Sequence, residues 1–139
     1  MIDFNYELEF TLDDEAVYAS WLTKVIESEN KKLGEINYIF CDDEYLLEIN
    51  KQYLNHDYYT DIISFDYTEN EVVSGDIFIS IDRVKENASD YGVSFDNELK
   101  RVIIHGILHF CGYKDKSQEE ERMMRLKEEE KINLFHVKQ

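Results

Sequence analysis

The stretch Ile103-Ile104-His105-Gly106-Ile107-Leu108-His109-Phe110-Cys111-Gly112-Tyr113-Lys114-Asp115 governs the reading of this 139-residue chain. Two histidines stand four residues apart inside an apolar run of helix length. A helix advances about 100° per residue, so positions four apart differ by only about 40°. The two imidazoles therefore share one face, roughly 5–6 Å apart at Cβ. That is the reach two imidazoles need to hold one metal ion at Zn–N distances of about 2.0–2.1 Å. Gly112 follows where a helix can end and the chain turn back through a left-handed conformation. Asp115 then arrives three residues past the turn, able to bring a carboxylate oxygen to the same ion.

The pattern His-x3-His-x2-Gly-x2-Asp has the spacing of zinc sites whose third ligand follows a glycine turn. Zinc peptidases carry Glu directly after the first histidine as general base. Here that position is Gly106. The pattern predicts a site that binds a metal and activates water but lacks the peptidase base.

Working outward, the flanking segments predict the rest of the fold. Upstream, Ser94 caps the helix that carries the histidines and ends near Cys111; downstream, Ser117 caps a charged final helix with Met123, Met124, Leu126 and Ile132. Gly75 to Ile81 is apolar on both faces, the pattern of a central strand. A short helix from Asp82 to Tyr91 follows it, closed by Gly92. Ile62 to Phe65 predicts a short strand, with a loop or hairpin arm from Tyr67 to Ser74. Glu35 to Cys41 predicts another, after a turn at Lys31, Lys32 and Gly34, and Asp42 caps a helix from Asp43 to about Tyr53. Near the start, Asn5 to Phe10 predicts the first strand, and Asp13 or Asp14 caps a helix that ends near Glu29. The order predicts one α/β (α+β) domain over residues 1–139, a sandwich with a mixed four-stranded sheet and about five helices.

Composition narrows the functional classes. Fifteen Lys and Arg face 31 Asp and Glu, for a formal charge of -16. Such a balance disfavours polyanionic partners unless cations or a metal gather locally. Cys41 and Cys111 are no disulfide framework and suit a reducing compartment. The N-terminus lacks a basic region followed by an apolar block, and no apolar run is long enough for a bilayer, so the expectation is a soluble cytoplasmic protein.

The residues Tyr53, Thr60-Asp61-Ile62-Ile63-Ser64-Phe65, Gly75-Asp76-Ile77, Glu98-Leu99, His105-Gly106-Ile107-Leu108-His109 and Gly112-Tyr113 occur in one characteristic order. In these, from Glu35 to Lys116, the chain resembles the YbeY family of bacterial rRNA-maturation endoribonucleases. The resemblance implies a hydrolase with one metal ion, usually zinc, that cuts single-stranded RNA. It also implies the ribosome as partner, with roles in maturing the 3′ end of 16S rRNA and in ribosome quality control. Three positions depart from the family pattern: Asp115 where a His is usual, Leu54 where an Arg follows the tyrosine, and Tyr59 where a Pro precedes the threonine.

The expected metal set is His105, His109 and Asp115, with zinc as the ion and manganese or iron acceptable beside a carboxylate. The resemblance makes Ser64 and Asp76 candidates for the substrate cleft, against a plain structural role in the sheet. Lys114 and Lys116 flank Asp115 and are either phosphate contacts or exposed solubilising lysines. Lys51, Lys100 and Arg101 are further basic candidates. Glu98 is expected as a structural hydrogen-bond partner, Cys111 in the core, and His56 and His136 at the surface. The acidic runs Glu119 to Glu121 and Glu128 to Glu130 are expected as solvated helix faces. No general base is assigned. The rival functions are a metallopeptidase, which needs a Glu at position 106, and a non-catalytic ribosome-binding factor with a structural metal.

Overall fold

The computed structural model describes residues 1–135. Its elements run β1 (Ile2–Tyr6), α1 (Glu15–Ser28), β2 (Lys32–Cys41), α2 (Asp43–Leu54), β3 (Ile62–Asp66), β4 (Val72–Ser80), α3 (Ile81–Tyr91), α4 (Phe95–Phe110) and α5 (Gln118–Phe135). The strands form one sheet in the order β1-β2-β4-β3, with the first three parallel and β3 antiparallel at the edge. This is the mixed four-stranded sheet with five helices that the sequence predicts, with β4 in the interior of the sheet.

Side chains alternate across a strand, so the register sorts the sheet into two faces. Ile36, Tyr38, Phe40, Ile77 and Ile79 face the larger core, with α1, α4 and α5 residues packed on them. Cys41, Ile63, Phe65 and Phe78 face the other way, toward Leu46 and Ile49 of α2. Leu99, Val102, Ile103, Gly106, Ile107, Leu108 and Phe110 of α4 are all buried. A helix apolar over most of its circumference is a core helix, and His105 and His109 occupy its remaining narrow stripe. Tyr38 Oη donates to the Ile103 carbonyl at 2.8 Å, which satisfies a phenol with no exposure. Gly106 lets the helix lie close to the sheet, because a Cβ there would stand 2.9 Å from Ile77 Cδ1 and 3.2 Å from Ile62 Cδ1. Trp21 Nε1 donates to the Lys131 carbonyl at 2.7 Å, tying α1 to α5.

The caps read from the sequence hold: Asp14, Asp42 and Ser94 cap α1, α2 and α4 through their side chains, and Glu120 N donates to Ser117 Oγ at the start of α5. The third helix starts at Ile81 rather than Asp82, because Ser80 ends β4 and caps the helix. Strand limits differ. The first strand is Ile2–Tyr6 rather than Asn5 to Phe10. Its alternation continues through Leu8 and Phe10, which still pack on the core. The ladder partner is gone, however, because β2 ends at Cys41 where Asp42 caps the next helix. β2 begins at Lys32, since the turn lies earlier, at Glu29 and Asn30. Gly34 sits at an irregularity in the β2–β4 register, not in the turn. A side chain there would collide with Ser74 Oγ, and such a close approach is what a strand glycine allows.

Candidate metal centre

The end of α4 and the turn after it bring three acceptor atoms together. Cys111 closes the helix, Gly112 takes φ +106°, and Gly112 N and Tyr113 N donate back to the carbonyls of His109 and Leu108, each at 3.0 Å. The positive φ is the reason for glycine at this position. The reversed chain then carries Asp115 over the exposed ends of both imidazoles. His105 Nε2 and His109 Nε2 are 3.0 Å apart, and Asp115 Oδ2 lies 3.2 Å from the first and 3.3 Å from the second.

The other ring nitrogens are anchored. His109 Nδ1 meets the Tyr113 carbonyl at 2.9 Å, and His105 Nδ1 meets Glu128 Oε2 at 2.7 Å. A carbonyl only accepts, so His109 carries its proton on Nδ1, and a carboxylate imposes the same tautomer on His105. Both Nε2 atoms then present lone pairs to a point that already faces a carboxylate oxygen. Three acceptors this close repel one another unless a cation lies between them. Ligands at about 2.0–2.1 Å in a tetrahedron around zinc stand about 3.3 Å apart. The observed separations match that edge, so His105, His109 and Asp115 could hold a metal ion.

Below the histidines runs a buried charge network. Glu128 has 1% exposure. It accepts from Arg101 Nη1 at 3.3 and 3.4 Å, and from Arg125 Nη1 at 3.3 Å, besides its contact with His105. Arg101 also donates to both oxygens of the buried Glu98, at 2.9 and 2.7 Å. Burial works against the Arg101 charge, but Glu98, Glu128 and Asp61 outweigh it and raise its pKa. Burial also raises the pKa of Asp61, with Arg101 and His105 pulling it back. Asp61 shares a cavity of about 190 Å³ with Ile62, Arg101, His105 and Asp115.

The expectation for Glu128 is therefore corrected: it is no part of a solvated face. It belongs to the stripe Met124, Glu128 and Lys131 that α5 buries against the rest of the protein. Its partners lie on α4, distant in sequence. The signal that could have found it is helical spacing from Met124, since three consecutive glutamates otherwise look alike. Glu119 and Glu121 are exposed, as expected.

The other candidates are dispersed. Ser64 pairs with Ile77 in the sheet and so lies on the face that α4 covers. Asp76 alternates to the opposite face, where it accepts from Asn37 Nδ2 at 3.1 Å, so the structure does not bring it to the histidines. Lys114 and Lys116 are exposed on either side of Asp115. Lys100 is buried, paired with Asp96 and stacked over Phe135, so it offers nothing to a ligand. Lys51 lies near Glu48 and Asp57. Glu98 is a hydrogen-bond partner of Arg101, as expected. Leu54 is 41% exposed, and His56 stacks on Tyr58 at the surface. Cys111 packs against the core, where burial pushes its thiol up to about 11. His136 lies outside the described residues.

Position 106 also bears on the peptidase reading. Ile77 and Ile62 occupy the space that a side chain there would enter. A general base at this position would have to displace both isoleucines from under the helix.

A family model described as Endoribonuclease YbeY matches residues 4–136. A protein of Flavobacterium psychrophilum named Endoribonuclease YbeY is 64% identical, over 100% of this chain and 99% of the relative. One of Flavobacterium johnsoniae with the same name is 64% identical over 100% of both chains. One of Christiangramia forsetii, also so named, is 60% identical over 99% of this chain and 96% of the relative. Among solved structures, a solution structure of a Thermotoga maritima protein superposes with a TM-score of 0.68 at 25% identity, covering 97% of this chain and 89% of that one. A family match over nearly the whole chain, on a fold that gathers two histidines and an aspartate around one point, means that this chain belongs to the Endoribonuclease YbeY family.

Proposed function

We propose that this chain is a single-metal endoribonuclease that cleaves single-stranded RNA. Its substrate in the cell is the 3′ region of 16S rRNA, which makes the ribosome its partner, in maturation and in quality control. Its place of action is the cytoplasm, which suits two free cysteines. Among the described residues no helix is long and apolar enough to cross a membrane. The observation that carries the proposal is the convergence of His105 Nε2, His109 Nε2 and Asp115 Oδ2 within 3.3 Å of one another.

A zinc ion held there, or manganese or iron, would activate water and polarise a phosphoryl oxygen. The chain supplies the rest. Tyr113 and Glu128 fix the two imidazole tautomers, so both lone pairs are aimed before any ion arrives. Asp115 lowers the net charge of the centre by one unit relative to a third imidazole. Lys114 and Lys116, beside Asp115, contact backbone phosphates and offset the acidity of the chain. Ser64, on the α4 side of the sheet edge, is a cleft residue.

The test is incubation of the purified, zinc-loaded protein with a single-stranded RNA, an RNA duplex and an unfolded protein, with His105→Ala as the control for contaminating nuclease. Cleavage of the single strand alone, lost in His105→Ala, is the expected result. Cleavage of the unfolded protein, or RNA cleavage that persists in the variant, refutes the proposal. The ends report the nucleophile, since a 2′,3′-cyclic phosphate requires attack by the RNA 2′-hydroxyl.

A further inference from the structure

A chain with formal charge -16 must collect cations wherever it meets a polyanion, and the structure shows where they are collected. Most basic side chains are spent on internal ion pairs. Lys31, Lys51, Arg83, Lys100, Lys127 and Lys131 each have a carboxylate within 4.0 Å. Among the described residues, Lys24, Lys32 and Lys85 lack such a partner and lie on α1, β2 and α3. The others that lack one are Lys114 and Lys116, which flank Asp115 in the chain, and Arg122, which shares a cavity with His105 and Asp115.

Arg122 lines a cavity of about 450 Å³ beside the candidate metal centre, between α4 and the first half of α5. Arg101, His105 and Asp115 line it too, so the cavity adjoins two residues of that centre. Gln118, Arg122 and Arg125 are four and three residues apart on α5, which puts them on one face of the helix. Arg125 is 56% exposed and has one carboxylate partner, Glu128 Oε1 at 3.3 Å, so most of its guanidinium donors remain available. Of the acidic groups in the wall, Asp115 faces the two imidazoles and Glu128 is engaged by His105 and Arg101. Glu121 is the acid in the lining that none of these interactions neutralises. Two exposed guanidiniums and an amide therefore face one such carboxylate, next to a centre that gains two positive charges when a divalent ion binds.

We propose that this face of α5 is a phosphate-binding subsite, in which Arg122 and Arg125 grip the backbone of single-stranded RNA beside the scissile bond. Among the described residues no Phe, Tyr or Trp lines the cavity, so it offers phosphate contacts rather than a stacking platform. A planar guanidinium matches a phosphodiester by paired hydrogen bonds. The inference rests on the endoribonuclease reading above and adds where the strand lies: across the first turns of the last helix.

The experiment measures binding of a fluorescently labelled, cleavage-resistant single-stranded RNA to the zinc-loaded full chain between about 50 and 200 mM salt, where phosphate neutralisation dominates the dependence. Variants are Arg122→Ala, Arg122→Lys, Arg125→Ala and, as a control from an unpaired cation elsewhere, Lys85→Ala. Removing one cation that neutralises a phosphate of a single strand should flatten the log–log salt slope by about 0.7. Arg122→Ala should bind about tenfold more weakly and show that flattening, with zinc content unchanged. Arg122→Lys should keep the slope but not the full affinity. In cleavage assays, the loss should fall on KM more than on kcat. Wild-type slopes in both Arg122→Ala and Arg125→Ala, while the wild type binds and cleaves RNA, would overturn the subsite and leave the endoribonuclease reading standing. An equal loss in Lys85→Ala would reduce the effect to overall charge and also overturn it. A wild type that neither binds nor cleaves RNA sinks both.

Discussion

Replacing Glu128 by Gln tests whether the candidate centre depends on a residue that touches no substrate. The carboxylate accepts from His105 Nδ1 at 2.7 Å and from two arginines on either side. Gln keeps the shape and removes the charge. His105 then loses the partner that fixes its tautomer and ring orientation. Such changes behind a metal-binding histidine typically cost 10- to 100-fold in metal affinity, about 1.4–2.7 kcal/mol. Glu128→Ala removes more, because the half-buried Arg101 keeps only Glu98 and, at 3.9 Å, Asp61 as partners. Breaking a buried ion pair costs about 3–5 kcal/mol. For a chain of this size that lowers Tm by roughly 10 °C, at about 2–4 °C per kcal/mol. The assay is zinc competition against a chromophoric chelator, paired with thermal unfolding of the metal-free protein. Gln should lose zinc affinity with a small change in Tm, and Ala should lose both. A Gln variant that binds zinc as tightly as the wild type would refute the positioning role.

Chelation should lower the Tm of the wild type, by the amount of stability that about 4 kcal/mol of ligand linkage confers at a thousandfold excess over Kd. Asp115→Ala should show almost no such response, and a response of wild-type size would exclude Asp115 from the ion. Gly106→Ala gains about 1 kcal/mol of helix propensity and loses about 1–3 kcal/mol to overpacking against Ile77, so its urea midpoint should fall; a rise would mean that the helix can shift outward. Leu54→Arg should tighten binding of single-stranded RNA and steepen its salt slope, and no change would put position 54 away from the strand. Glu29 gives a pH signature. Burial raises its pKa, but hydrogen bonds from Lys131 and Tyr113 outweigh burial and leave it lowered. Its stabilisation is present above the unfolded value of about 4.3 and is lost as pH falls through the folded value. Wild type should therefore lose more stability than Glu29→Gln between about pH 6 and pH 3, read by urea midpoints; parallel losses would remove Glu29 from the acid response.

The parts of this protein that were legible in the sequence are those set by neighbours along the chain. Helix caps at Asp42 and Ser94, the stop at Gly92 and the turn at Gly112 each depend on a few adjacent residues. The histidine pair depends only on helical geometry. Strand limits depend on a partner strand, so Leu8 and Phe10 carried the right alternation with nothing left to pair with. Gly34 looked like a turn because a bulge and a turn ask the same freedom of a glycine. Glu128 and Arg122 lie six residues apart in one charged run, yet one is buried and the other free. Which side of α5 meets α4 decides between them, and that is a property of the packed pair, not of either segment. Asp76 lies on the face away from the histidines for a related reason. Its place in a characteristic motif is local, but the face it takes follows from the sheet register.

The tie between Trp21 and the Lys131 carbonyl and the reach of Glu128 to His105 have a consequence for biosynthesis. Chains emerge from the ribosome N-terminus first. The sheet, both histidines and Asp115 are all synthesised before Glu128, the residue that sets the His105 tautomer. A nascent chain still holding its final helix in the exit tunnel has the three acceptor atoms but not the hydrogen bond that aims one of them. Aiming of the His105 lone pair therefore waits until α5 packs on α4 and Glu128 reaches His105 Nδ1.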